Sequence, residues 1–152
     1  MINLTTPFFD NTEIKKLDKI IRGGWLVEGT QTTLFEKKIS RFQNIKYVSA
    51  LTSCTAALHL ALHSLKLNPN DEILVPAFSW ATTAHCVKYL NLNIRFVDID
   101  LNTFNLDVKD LEKKITKRTK ILIVVHLFGK SADMDDILKV SKQHNIKIIE
   151  DC

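Results

Sequence analysis

Apolar and polar positions along this chain follow first one period and then another. Residues 13–22 set Ile14, Leu17, Ile20 and Ile21 on one face at helical spacing. Asn11 or Thr12 is placed to cap that helix, and Gly23-Gly24 to end it. A second helix is predicted over 32–42, with Leu34, Phe35, Ile39 and Phe42 apolar. Short apolar runs then take over. They predict strands at 47–51, 71–75 (closed by Pro76), 94–99, 120–127 and 146–149, separated by helices at 56–67, 79–90, 108–115 and 134–144. The run at 120–127 contains an unbroken Ile-Leu-Ile-Val-Val, the pattern of a strand buried on both faces and therefore central. Repeated β-α-β alternation after two leading helices predicts an α/β fold with three layers, a mostly parallel sheet covered by helices.

Composition narrows the class without changing that picture. Hydrophobic residues make up 45% of the 152 and charged residues 25%, which is globular and excludes disordered, collagen-like and coiled-coil chains. The length allows one domain or a cramped two. Lysine and arginine number 21 against 17 acids, a net +4 spread over short lysine runs that read as solvated helix faces. No nucleic-acid partner is expected from it. No apolar run is long enough to span a membrane, and no membrane partner is expected. The N-terminus lacks a basic flank and an apolar signal core. Three cysteines, an odd number without CxxC spacing, suggest neither a disulfide framework nor a zinc site and fit a reducing cytoplasm. The chain stops directly after an apolar strand, and the expectation is that it is a fragment.

In a parallel α/β sheet, ligands bind beyond the carboxyl ends of the strands. The segments to inspect are therefore 52–55, 76–82, 98–104, 126–133 and 150 onward. Thr52-Ser53-Cys54-Thr55 leads from a strand into a helix through small hydroxyl residues. Helix-terminal amides there suit a phosphate, although Ser and Thr are also ordinary caps. Trp80 at a strand end can stack on a flat ring or belong to the core. Asp151, following an apolar strand, can face the crevice and hold a cationic ring nitrogen, or be a surface carboxylate. His59 and His63 stand at i, i+4, but no HExxH arrangement or third ligand accompanies them, and no metal site is assigned. Cys54 would be a thiolate of lowered pKa if it were reactive at that helix start; without a placed histidine it reads as a small buried residue.

The order Thr52-Ser53-Cys54-Thr55-Ala56-Ala57-Leu58-His59-Leu60-Ala61-Leu62, then Asp71 through Thr82, resembles the DegT/DnrJ/EryC1/StrS family. Phe96-Val97-Asp98-Ile99-Asp100, Thr103-Phe104-Asn105-Leu106, His126-Leu127-Phe128-Gly129, Asp133-Met134 and Ile149-Glu150-Asp151 continue the resemblance from about Gly24-Trp25 to the last residue. These are pyridoxal 5'-phosphate-dependent aminotransferases of fold type I, mostly acting on nucleotide-linked keto sugars. The resemblance implies that residues 1–152 are part of the cofactor-binding large domain, with a helical arm over about 1–45 and β-α-β alternation over about 46–152. It implies that Ser53, Cys54 and Thr55 hold the cofactor phosphate, that Trp80 stacks on the pyridine ring, and that Asp151 is the catalytic carboxylate that pairs with the ring nitrogen. His126 and Gly129 match a His-x-x-Gly loop that shapes the site. Cys54 stands where the family usually has a small residue such as glycine, and Ser131 where proline is commoner. The family's Schiff-base lysine and small C-terminal domain lie beyond the segment present here, so the fragment itself is expected to be inactive. The implied partners are a nucleotide-linked keto sugar, an amino-acid donor such as glutamate, and a second copy in a cytoplasmic homodimer. Two other readings stay open: a non-enzymatic product of a split or truncated gene that binds a phosphorylated ligand or a partner subunit, and a relative that is a pyridoxal-phosphate-dependent sugar dehydratase.

Overall fold

The computed structural model describes residues 6–152, so the first five residues of the expected arm lie outside the described residues. The chain divides into two compact units, one ending at Ala50 and the other running from Leu51 to Cys152. The first unit holds α1 (Asn11–Gly23) and α2 (Thr30–Gln43). The cap of α1 is Asp10, one residue before the expected pair. Its carboxylate accepts from the Thr12 N–H at 2.6 Å, while Glu13 accepts from the Asp10 N–H at 2.8 Å. This capping box puts two carboxylates at the positive end of the helix, which a neutral Asn or Thr cap cannot match. Gly24, at φ 72, closes the helix in the left-handed region open to glycine. No residue of α1 or α2 is buried, and Ile14, Leu17 and Ile21 all lie between 58% and 63% exposed. The strand expected at 47–51 does not form. A strand exists by its ladder, and this segment has no ladder partner among the described residues, although the Ala50 N–H donates to Glu36 Oε1 at 2.9 Å.

The second unit contains α3 (Cys54–Ser64), β1 (Glu72–Pro76), α4 (Thr82–Lys88), β2 (Asn93–Val97), α5 (Val108–Lys114), β3 (Thr119–Val125), α6 (Met134–His144) and β4 (Lys147–Asp151). All four strands are parallel, in the order β2-β1-β3-β4. The apolar run at the C-terminal half of the chain thus becomes an inner strand, as expected. The expected strand at 94–99 stops at Val97, because Asp98 leaves the ladder: its N–H donates to Asp110 Oδ2 and its own carboxylate accepts from the Ile99 N–H. α3 and α4 end three residues and two residues earlier than the pattern suggested, and α4 begins three residues later, at Thr82.

Period-two alternation splits the core between the two faces of the sheet. Ile73, Val75, Ile121 and Ile123 join Leu58 and Leu62 of α3 and Cys86 and Val87 of α4. Leu74, Leu122 and Val124 join Leu111 of α5 and Ile137 and Val140 of α6. Helices therefore cover both faces, which makes the three layers. The amino end of the sheet is held by a buried acid. Glu72 accepts from Arg95 Nε at 3.1 Å, Thr119 Oγ1 at 3.0 Å and Thr116 Oγ1 at 3.2 Å. It lies at the opposite end of the sheet from Asp151.

Ile123 is fully buried, whereas Lys120 on the same strand points to solvent. Ile123→Ala should cost about 2–5 kcal/mol through lost burial and the cavity left behind, and Lys120→Ala no more than about 0.5 kcal/mol. Urea denaturation of the two variants side by side checks the difference.

Candidate active site

The alternation of side chains along β4 sets where its carboxylates point. Ile149 packs with the α3/α4 layer and Ile148 with the α5/α6 layer. Asp151 therefore shares the α3/α4 side and Glu150 the other. Asp151 is itself the last residue of β4, where the sequence reading placed it after the strand. The difference arises because β3 extends to Val125 and pairs with Asp151.

Two helix starts converge on that carboxylate. The Cys54 thiol, on the first residue of α3, donates to Asp151 Oδ1 at 3.2 Å. The Thr83 hydroxyl, in the first turn of α4, donates to Oδ2 at 2.9 Å. The Asp151 carbonyl accepts from the His126 N–H at 3.1 Å, which fixes the backbone beneath the side chain. Ser53 caps α3, its Oγ accepting from the Ala56 N–H at 3.2 Å. The amides of Cys54 and Thr55 have no acceptor among the described residues. They form a small donor cluster at the positive end of an eleven-residue helix. Trp80 precedes α4, its ring 80% exposed and its carbonyl accepting from the Thr83 N–H at 3.0 Å. The structure thus brings Cys54 and Asp151 into contact, places Ser53 and Thr55 beside them in sequence, and ties Trp80 to the same carboxylate through Thr83.

Cys54 is exposed, against the expectation of a small buried residue. Its helix start does not make it a thiolate either. Partial burial pushes the thiol pKa up, and the hydrogen bond to Asp151, the charge of Asp151 and Cys152 add to the rise. Burial disfavours the charged thiolate, and a thiol that donates to a carboxylate resists losing its proton.

The loop after β3 is braced from elsewhere. His126 Nδ1 accepts from the Ala132 N–H at 3.0 Å, so Nε2 carries the proton and donates to Glu150 Oε2 at 3.0 Å. Asn105, 4% exposed, donates through Nδ2 to the carbonyls of Lys130 and Ser131, and its Oδ1 accepts from the Leu127 N–H. These three bonds hold a turn in which Phe128 takes φ 53, a conformation that costs a bulky residue of order 1 kcal/mol. Thr83 and Asn105 both escaped the sequence reading of the site. Thr83 had a usable signal: a hydroxyl residue three and four positions before Cys86 and Val87, on the apolar face of its helix. A groove of about 760 Å³ lies between α5, α6 and the 100–107 loop, but none of Ser53, Cys54, Thr55, Trp80 or Asp151 lines it, so the chemistry is not there.

Because its pKa is raised, Cys54 should be alkylated by iodoacetamide more slowly at pH 8 than an ordinary exposed cysteine, with the rate climbing only above the usual thiol range. Asp151→Asn removes the acceptor's charge and should speed labelling at the same pH, read at Cys54 by peptide mass spectrometry. An unchanged rate would contradict the contact.

Over 145 residues the chain is 37% identical to the spore coat polysaccharide biosynthesis protein SpsC of Bacillus subtilis (strain 168), a match that covers 95% of this chain and 37% of SpsC. It is 34% identical over 148 residues to the UDP-4-amino-4-deoxy-L-arabinose–oxoglutarate aminotransferase of Shewanella sediminis (strain HAW-EB3), covering 97% of this chain and 38% of that one. Among solved structures, the E. coli GDP-4-keto-6-deoxy-D-mannose-3-dehydratase with bound hydrated PLP superposes with a TM-score of 0.93 at 31% identity, over 100% of this chain and 41% of that chain. The chain thus spans between 37% and 41% of the length of these relatives. The sequence pattern of one family matches residues 7–152, and the chain belongs to that family, the DegT/DnrJ/EryC1/StrS aminotransferases.

Proposed function

We propose that this chain is the N-terminal part of a pyridoxal-phosphate-dependent aminotransferase that moves an amino group from an amino acid such as glutamate to a nucleotide-linked keto sugar. The observation that carries this reading is the Asp151 carboxylate. It sits at the carboxyl end of β4 with one donor on each oxygen, beside the free amides at the start of α3. The relatives supply the substrate class: one is an aminotransferase named for a UDP-linked amino sugar and oxoglutarate.

The residues present fit the cofactor. A phosphate needs N–H and O–H donors, and the Cys54 and Thr55 amides with the Ser53 hydroxyl would provide them. Cys54 takes part through its amide, so the side chain that replaces a smaller residue need not obstruct. The exposed Trp80 ring offers a flat apolar face for the pyridine ring. When bound, pyridoxal phosphate supplies a protonated ring that takes up the electrons released when the α-proton of the amino donor leaves. Asp151 would hold the proton on the ring nitrogen, since a carboxylate oxygen keeps a second lone pair after accepting once. His126 serves by bracing Asp151 and the 127–131 turn. On this reading the lysine that would anchor the cofactor and carry the proton is none of those in residues 1–152. A cytoplasmic location belongs to the same proposal, and three free cysteines are compatible with it. A homodimer is the expected assembly, supported by the apolar side chains left exposed along α1.

The dehydratase neighbour makes a second chemistry worth distinguishing. The test expresses the complete reading frame, loads it with pyridoxal phosphate, and supplies glutamate with a nucleotide-linked keto sugar. An aminated sugar supports the proposal; loss of water without nitrogen retained in the sugar points to a dehydratase; no turnover with either points to a binding protein. Within the active protein, Asp151→Ala should cost roughly a hundredfold or more in turnover, because the ring nitrogen loses its counter-charge. Trp80→Ala should cost only about fivefold, the worth of about 1 kcal/mol of stacking. Equal losses, with cofactor retained in both, would contradict the assigned roles.

A further inference from the structure

Thr83 is buried, 2% exposed, on the face of α4 that carries Cys86 and Val87 into the core, where an apolar side chain is the ordinary occupant. Its Oγ1 lies 2.9 Å from Asp151 Oδ2 and 2.9 Å from Ser79 Oγ. A threonine hydroxyl owns one proton. A carboxylate only accepts, so that proton goes to Asp151. Ser79 must then donate to Thr83. The direction of every bond follows: Ser79 to Thr83 to Asp151, a chain in which each donation strengthens the next. The Cys54 thiol donates to the other oxygen from α3. Each carboxylate oxygen is engaged once, from a different helix, and each keeps one lone pair.

We propose that Thr83 is a positioning residue: backed by Ser79, it fixes the Asp151 carboxylate so that a remaining lone pair meets the proton on the cofactor's ring nitrogen. This rests on the cofactor reading above. Valine in place of Thr83 keeps the volume but leaves Oδ2 without its donor and the Ser79 hydroxyl without its acceptor. Cys54, a weak donor, then holds the carboxylate alone. The carboxylate turns away from its set plane and the ring nitrogen keeps its proton less tightly.

The experiment uses the protein expressed from its complete reading frame and loaded with pyridoxal 5'-phosphate carrying ¹⁵N in the ring. The ring-nitrogen shift is followed against pH by NMR, alongside the melting temperature. Thr83→Val should lower the midpoint at which the ring nitrogen loses its proton by about one unit, the scale of one charge-assisted hydrogen bond. Thr83→Ser should restore it. Ser79→Ala should lower it by less, and should add nothing in the Thr83→Val background, where the chain is already broken. A Thr83→Val protein that melts earlier but titrates at the wild-type midpoint overturns the proposal and leaves the cofactor reading standing. If Thr83→Val does not fold, Ser79→Ala carries the test, and an unmoved midpoint there overturns it. A wild-type protein that retains no labelled cofactor sinks the proposal and the cofactor reading together.

Discussion

A parallel strand covered on both faces has no polar side to offer, and that constraint organises this protein. β3 buries Ile121 and Ile123 on one side and Leu122 and Val124 on the other. Helices must then pack on both faces, and every β-α-β connection must return to the same end of the sheet. Polar chemistry has room only at the two ends of the strands. At the amino end it is a buried carboxylate, Glu72, matched by Arg95 and two threonine hydroxyls. At the carboxyl end it is Asp151, matched by weaker and neutral donors.

The two acids differ in what their partners leave over. Glu72 has a cationic partner of its own and little left to offer a ligand. Asp151 has no lysine, arginine or histidine bonded to its side chain among the described residues. A thiol and a hydroxyl orient it without neutralising it, so a cationic group arriving from outside meets an uncompensated charge. Partial burial raises the pKa of Cys54, and the same arrangement adds to the rise, since a thiolate beside that carboxylate would lose its hydrogen bond and set two negative charges together.

The loops around Asp151 are held by the polar side chains of Asn105 and His126. The Asn105 side chain spends all three of its bonds on the 127–131 turn, and the left-handed Phe128 is tolerated because those bonds over-determine it. His126 links that turn to β4 twice, through its backbone to Asp151 and through its ring to Glu150. The match to family members over 95–100% of this chain therefore concerns a scaffold whose loop geometry is set by its own polar network.

Much of the fold was legible because burial has a period. The double-faced run at 121–125, the helix at Met134–His144 and the alternation of strand with helix are written in apolar spacing, which depends only on local geometry. Ser53, Cys54, Thr55, Trp80 and Asp151 could be named because apolar spacing puts an expected strand shortly before each, although the one expected before Ser53 does not form. The strand at 47–51 could not be judged from spacing, since a strand is defined by a partner and spacing does not say whether one is present. The cap of α1 was off by one because several polar residues compete there, and the reciprocal bond from Glu13 decides among them. Thr83 reads in sequence as one of two adjacent threonines at a helix start. Only the docking of α4 on α3 and on β1 and β2 brings its hydroxyl to Asp151, across 68 residues of chain. Spacing along the chain settles which side chains are buried; which buried polar atoms meet is decided by how separate elements dock, and that information exists only in three dimensions.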